Sequence, residues 1–461
     1  MTFAPSYLSR ELGWHRTVPL WKNISPEIFG LDVDYDQCFQ TTASGPIRDI
    51  VLDELECSYL LAGFHDGSLV LFSVNSDSNT YSQLAHVRGS AKMDPYSKRS
   101  QRTSLVTCME WYPVDSGLFF TASVDKCIRI WDTSRMECVD AIELLESISW
   151  ISLSRCATSH NLVAASMGPA GDGRTLLVDP IIGAVAITLA GGHSHPGSST
   201  VSWSPRASHS VFTGGYDGRI LLWDIRFPTT PMHSLDKYNN PDNTAYIPDA
   251  AAHTGPVLSL SFTQDGLHLI SWGGAGSSED SLCLRMWSSG QGDGDMPYIS
   301  DTSNTKTFPG PQLRPINFGI MYAEAQGRSS DADLTHSATG ASGTNRVQPP
   351  TAPSRPSVSS IKHIPVRIAN APGVPGNAWG GQSAFIFVPH RNRLLISSAT
   401  RQGVQNRLIS RHHAKMRACV WNNRSKELYT CGMDGNLFVW PLHPDEIRED
   451  VSADLALARD S

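Results

Sequence analysis

An all-β fold built from one repeated, strand-rich unit is predicted by three features of this 461-residue sequence. The first is a recurring strand ending: an acidic residue, apolar residues three and five positions on, and an aromatic at six. It occurs as Asp66 to Phe72, Asp125 to Trp131, Asp217 to Trp223 and Asp434 to Trp440. Period-two alternation marks a strand with one buried face, and an Asp at its start accepts backbone N–H bonds in a turn. The second feature is that two endings run on as Trp-Asp, in "IRIWDTS" and "ILLWDIR". The third is the spacing, compatible with a unit of about 40–45 residues once loops are allowed to lengthen.

Taken in order, the units read as residues 45–75, 104–140, 147–190, 195–235, 253–290, 364–410 and 412–442. Asp132 and Asp224 are too far apart for one unit, so a degenerate third lies between them, with "RTLLVDP" placing Val178-Asp179 where Trp-Asp would stand. The fifth unit stretches the spacing by one, Asp280 to Trp287, and the sixth, "SAFIFVPHRNRLLISS", is assigned on position and alternation. The prediction is a seven-bladed β-propeller of WD-repeat type. A closed ring leaves no open edge, so "FGLDVDYD" at 29–36 is expected to supply the outer strand of the last blade.

Composition sets the remaining bounds. The chain is 40% hydrophobic, enough for one large propeller over 29–443. Residues 301–361 are rich in Ser, Thr, Pro, Gly and Ala, a composition that cannot repay ordering, and read as an insertion between blades five and six. Residues 76–102 read as a smaller polar loop, and 444–461 as an acidic tail. A net charge of −7 argues against broad nucleic-acid binding, which needs a basic face. The nine cysteines form no C-x-x-C pair and read as reduced thiols of a cytosolic or nuclear protein. The first residues lack an apolar signal core, and no run is long enough for a membrane span.

Enzymatic motifs are missing: there is no G-x-S-x-G elbow and no H-E-x-x-H. No metal site or cofactor is predicted, since zinc needs three or four clustered ligands. His253, His412 and one of His193 or His195 stand just before an inner strand, where they read as structural partners of the turn Asp. Asp66, Asp125, Asp217 and Asp434 read as turn-holders, with Trp131 and Trp440 as blade anchors. A rigid platform with many loops serves recognition.

The run "VFTGGYDGRILLWDIR" (Val211–Arg226) resembles the box of WD-repeat substrate receptors of cullin-4 ubiquitin ligases, through Trp223, Asp224 and Arg226. With "EWYPVDSGLFFTASVDKCIRIWDT", "TVSWSPR", "AHTGPVLSLSFTQDGLHLI", "KELYTCGMDGNLFVW" and "YLSRELG", the chain is similar to the Cockayne syndrome group A family. The resemblance implies a non-catalytic receptor subunit that acts in the nucleus, in transcription-coupled nucleotide excision repair. It would dock on the damage-binding adaptor protein and through it reach cullin-4 and the RING subunit. Its further partners would be the Cockayne syndrome group B translocase and RNA polymerase II. Residues 1–28 then form an adaptor-docking segment with a short helix, in which Tyr7, Leu8, Arg10 and Leu12 join Trp223, Asp224 and Arg226. The insertion at 301–361 departs from that family. Two other readings stay open: a WD-repeat scaffold in another nuclear complex, such as histone binding or ribosome biogenesis, and a propeller hydrolase.

Overall fold

The structure, a computed structural model, describes residues 39, 43, 45–75, 80–88, 105–156, 160–168, 174–194, 196–235, 251–263, 266, 268–274, 282–288, 366–372, 383–398, 407–410 and 412–441. The expected N-terminal helical segment (1–28), closing strand (29–36), insertion (301–361) and acidic tail (444–461) lie outside them. The described residues form strands and turns, with no helix among them.

The strands fall into seven antiparallel sheets. The first holds β1 (Ile47–Leu52), β2 (Tyr59–Phe64), β3 (Leu69–Asn75) and β4 (Thr80–Val87); the second β5 (Val106–Trp111), β6 (Leu118–Ser123), β7 (Cys127–Asp132) and β8 (Glu137–Glu143). The third comprises β9 (Ile148–Leu153), β10 (Val163–Met167), β11 (Thr175–Asp179) and β12 (Ala184–Leu189), and the fourth β13 (Ser198–Trp203), β14 (Ser210–Gly215), β15 (Ile220–Asp224) and β16 (His233–Leu235). Three strands are described in the fifth, β17 (Val257–Phe262), β18 (His268–Gly274) and β19 (Leu282–Ser288). The sixth has β20 (Ala369–Pro372), β21 (Ser383–His390), β22 (Arg393–Ser398) and β23 (Arg407–Ser410), and the seventh β24 (Met416–Asn422), β25 (Glu427–Gly432) and β26 (Leu437–Pro441).

One expectation is corrected here. The stretch 76–102, expected to be a polar loop, contains β4. An outermost strand needs only one inward face: Tyr81 and Ala85 pack inward while Leu84 is 52% exposed. The polar residues between them hid that alternation.

The core lies between the sheets, and its apolar clusters run round a ring. They join sheets one and two (Leu61, Trp111, Phe119), two to four (Phe120, Trp150, Trp203, Trp223), four and five (Phe212, Trp287), five and six (Trp272, Ile386), six and seven (Phe387, Trp421), and seven and one (Tyr429, Phe72). Phe39 sits at the last joint, its ring 4.9 Å from Phe72 and 5.7 Å from Tyr429. Strand alternation then defines two faces. The turns from second to third strand are on the upper face; the turns leaving the first and third strands are on the lower.

Upper-face turns need a left-handed residue. Gly218 has φ +79°, and a side chain there would meet the His253 carbonyl oxygen at 2.1 Å, so only glycine fits. Lys126 holds the equivalent place in sheet two at φ +74° and is tied down by Nζ, which donates to the Leu145 carbonyl at 2.6 Å.

Across the axis runs a charged tie. Arg367, just before β20, sends Nε and Nη2 to the two carboxylate oxygens of Asp49 on β1, at 2.8 and 3.0 Å. The same Nη2 donates to the Met109 carbonyl on β5 at 2.6 Å, and the guanidinium lies 5.1 Å from the Trp150 ring of β9. Asp49 also accepts the Ile50 and Met109 N–H groups. Four sheets thus meet in one cluster. Burial opposes the charge of Arg367, and Asp49 more than restores it, so its pKa stands above the ordinary value.

Removing one partner of a buried pair strands the other charge. Asp49→Ala should therefore cost about 3 kcal/mol or more in equilibrium denaturation, whereas Asp49→Leu with Arg367→Met should recover most of it. A loss below about 1 kcal/mol for Asp49→Ala would show that the tie behaves as a solvated surface pair.

Candidate protein-docking site

The turn after β15 combines a fixed charge with an exposed aromatic. Asp224 ends the strand fully buried, and its Oδ1 accepts the Arg226 N–H at 2.9 Å. Arg226 then folds back: Nε lies 3.0 and 3.1 Å from the two carboxylate oxygens, and Nη2 lies 2.7 Å from Oδ2. Burial raises the Asp224 pKa, but the Arg226 hydrogen bonds outweigh it and hold the carboxyl below the usual range. The arginine does not extend freely past the rim; it is pinned, with 40% of its side chain exposed. Such a fork loses less freedom on binding than a mobile cation would. Ile225 beneath it is buried, and Phe227 beside it is 62% exposed.

The matching turns differ. In sheet two Asp132 binds Ser134 N and Oγ at 2.8 and 2.6 Å, with no cation at that position. In sheet three Asp179 holds the Ile181 N–H at 2.9 Å, and Ile181 and Ile182 are 79% and 75% exposed. Phe227, Ile181 and Ile182 were missed in the sequence reading. Their signal was a large apolar residue where a polar turn tip is usual.

The other residues singled out by sequence sit inside the blades. In sheet four His193 bridges Asp217 Oδ1 (3.2 Å) and Thr213 Oγ1 (2.7 Å), and Trp223 Nε1 donates to the same Thr213 at 2.9 Å. Sheet seven repeats this with His412, Asp434, Thr430 and Trp440. In sheet five His253 and Trp287 share Ser271, and burial pushes His253 down to about 3. His253 is therefore neutral. In sheet two Asp125 pairs with Arg129 at 2.6 Å and Trp131 bonds Thr121; in sheet one Asp66 binds Ser68 N and Oγ. All are bonded within their own blades. His195, Tyr7, Leu8, Arg10 and Leu12 lie outside the described residues.

The lower mouth of the channel opens into a cavity of about 430 Å³, lined among others by Glu54, Tyr112, Arg155, Phe262 and Trp421. Glu54 and Arg155 pair across it. Glu110 lies at its inner end, where its Oε2 accepts the Leu153 N–H at 3.1 Å. Burial raises its pKa to about 8 against the pull of Arg367 and Arg155. The described residues contain no group of three or more metal-ligating side chains and no helix long and apolar enough to cross a membrane, and Cys57, Cys108, Cys127, Cys138, Cys156, Cys419 and Cys431 are in no disulfide.

Comparison with known proteins finds the WD domain, G-beta repeat, at residues 96–132, 187–224 and 403–441. The chain is 24% identical to WD repeat-containing protein ATCSA-1 of Arabidopsis thaliana, over 93% of its own length and 94% of that protein. It is 31% identical to radiation-sensitive protein 28 of Saccharomyces cerevisiae over 29% of this chain and 27% of that one. It is 26% identical to ribosome biogenesis protein YTM1 of Phaeosphaeria nodorum over 38% of this chain and 39% of that one.

Glu110 makes stability depend on pH in a specific window. Its folded pKa of about 8 lies above the unfolded value, so the folded state holds the extra proton and loses stability as pH rises towards 8. His253 acts oppositely, but only below its unfolded pKa of about 6.5. Between roughly pH 6.5 and 8 the Glu110 effect stands alone. The melting temperature should fall across that interval in the wild type and stay level in Glu110→Gln; parallel profiles would contradict the assignment.

Proposed function

We propose that this WD-repeat propeller is a non-catalytic substrate receptor of a cullin-4 RING ubiquitin ligase, acting in the nucleus in transcription-coupled nucleotide excision repair. The observation that carries the reading is the Asp224–Arg226 fork on the lower rim, half-exposed and fixed in direction beside the exposed Phe227. Arginine and aromatic residues are the usual anchors of protein interfaces. The damage-binding adaptor protein is the partner assigned to this rim, with Ile181 and Ile182 of the neighbouring blade extending the contact. Tyr7, Leu8, Arg10 and Leu12 are assigned to the same partner through residues 1–28. Support also comes from the likeness to ATCSA-1, whose name carries the initials of the Cockayne syndrome group A family and which matches nearly end to end. The Cockayne syndrome group B translocase and RNA polymerase II are the further partners of this reading, and substrate would meet the loops of the free face.

A second reading, a scaffold in ribosome biogenesis, is favoured by the match to YTM1. It covers little more than a third of either chain.

The test is adaptor affinity. Removing an interface arginine often costs about 2 kcal/mol, and charge reversal adds repulsion. Arg226→Glu should weaken binding about thirtyfold or more, and Phe227→Ser about tenfold. Arg135, exposed on the equivalent turn of sheet two, is the matched control: Arg135→Glu should bind like wild type. Wild-type affinity in a folded Arg226→Glu protein would move the assignment to the scaffold reading.

A further inference from the structure

Six inner strands skip one residue of their ladder near the upper face: between Ile47 and Asp49, Val106 and Cys108, Ile148 and Trp150, Ser198 and Thr200, Val257 and Ser259, and Met416 and Ala418. Such a bulge re-aims the skipped side chain. The skipped residues are Arg48, Thr107, Ser149, Ser199, Leu258 and Arg417. Three are accounted for, since Ser149 pairs with the Tyr216 hydroxyl, Ser199 Oγ donates to the Gly214 carbonyl at 2.9 Å and Leu258 joins the core with sheet six. Arg417, Arg48 and Thr107 remain, on three successive sheets: seven, one and two.

None of the three has a side-chain partner among the described residues. Arg417 Nε and Thr107 Oγ1 are buried without a hydrogen bond. The nearest acid on the ladder, Asp49, is filled by Arg367 and two backbone N–H groups. Arg48 is pulled down to about 10 by burial and then by the charge of Arg417, while Asp49 and Tyr216 pull the other way. Tyr216 belongs to the turn after β14, across the ring in sheet four. Arg417, Arg48 and Thr107 thus stand at matching bulge positions on three neighbouring inner strands at the upper mouth, and among the described residues the acid beside them, Asp49, is already held by Arg367, an arrangement that is costly unless a counter-charge enters.

We propose that the upper mouth of the channel is an oxyanion site, in which Arg48, Arg417 and Thr107 bind a phosphate or sulfate dianion, either free or carried by a phosphorylated peptide. Two guanidinium forks offer paired N–H donors that match such an anion, and the threonine hydroxyl adds a third direction. The site is on the face opposite Arg226, so an occupant there and a protein on the lower rim do not compete for surface. The inference does not depend on the ligase reading.

The experiment uses the full chain, with calorimetry and thermal melts in inorganic phosphate against chloride of equal ionic strength. A phosphoserine peptide and its serine counterpart form a second arm. Phosphate should bind and raise the melting temperature where chloride does not. Arg48→Gln and Arg417→Gln should each lose about tenfold or more in affinity. Without phosphate they should melt no lower than wild type, because one of two repelling charges is gone; a merely structural arginine would not behave so. A phosphopeptide that binds more tightly than phosphate identifies the source as a protein partner, and equal binding identifies a small anion. No phosphate-specific response in the wild type would overturn the proposal, whether or not the variants fold, and so would an undiminished response in both folded variants.

Discussion

Everything in this ring depends on the buried ion pair between Arg367 and Asp49. A propeller sheet contacts only its neighbours, so opposite blades are normally linked through the circuit alone. Here one guanidinium from the segment leading into the sixth sheet reaches Asp49 of the first, the Met109 carbonyl of the second and the Trp150 ring of the third. Along the inner strands the cavity and Glu110 lie on the lower side of the pair, and Arg48 and Arg417 on the upper side. Among the described residues, filling Asp49 with Arg367 is what leaves the upper arginines without a free acid beside them.

The strand endings were legible because each is local: a turn Asp, alternating apolar residues and an aromatic, all within seven positions. Trp131, Trp223 and Trp440 bury as blade anchors because their indole N–H groups reach a threonine on the adjacent strand, Thr121, Thr213 and Thr430. Arg367 was not legible. It stands at the end of a long polar stretch, and its partners Asp49, Met109 and Trp150 come more than 200 positions earlier, so no window of sequence contains the interaction. Strand β4 escaped for a different reason, being an outer strand whose one inward face is interrupted by Ser and Gln. Arg226 was found by its place after Trp-Asp, whereas its folding back onto Asp224 depends on side-chain geometry that the sequence does not carry.

Both faces use arginine in contrasting ways. On the lower rim the cation is satisfied and oriented, a surface ready to meet a protein with little further ordering. At the upper mouth the cations are unsatisfied, a surface that stabilises on taking up an anion. A disc with one prepared face and one incomplete face suits a receptor that is held by one partner while it reads another.

The most direct test of that account is affinity purification of the tagged full-length chain from nuclear extract, with mass spectrometry and cross-linking of the captured proteins. The account predicts the damage-binding adaptor and cullin-4 among them, with cross-links from the adaptor to the lower-rim turns around Asp179 and Asp224. Recovery of ribosome-assembly factors without the adaptor, or cross-links from the adaptor confined to the upper face, would contradict it.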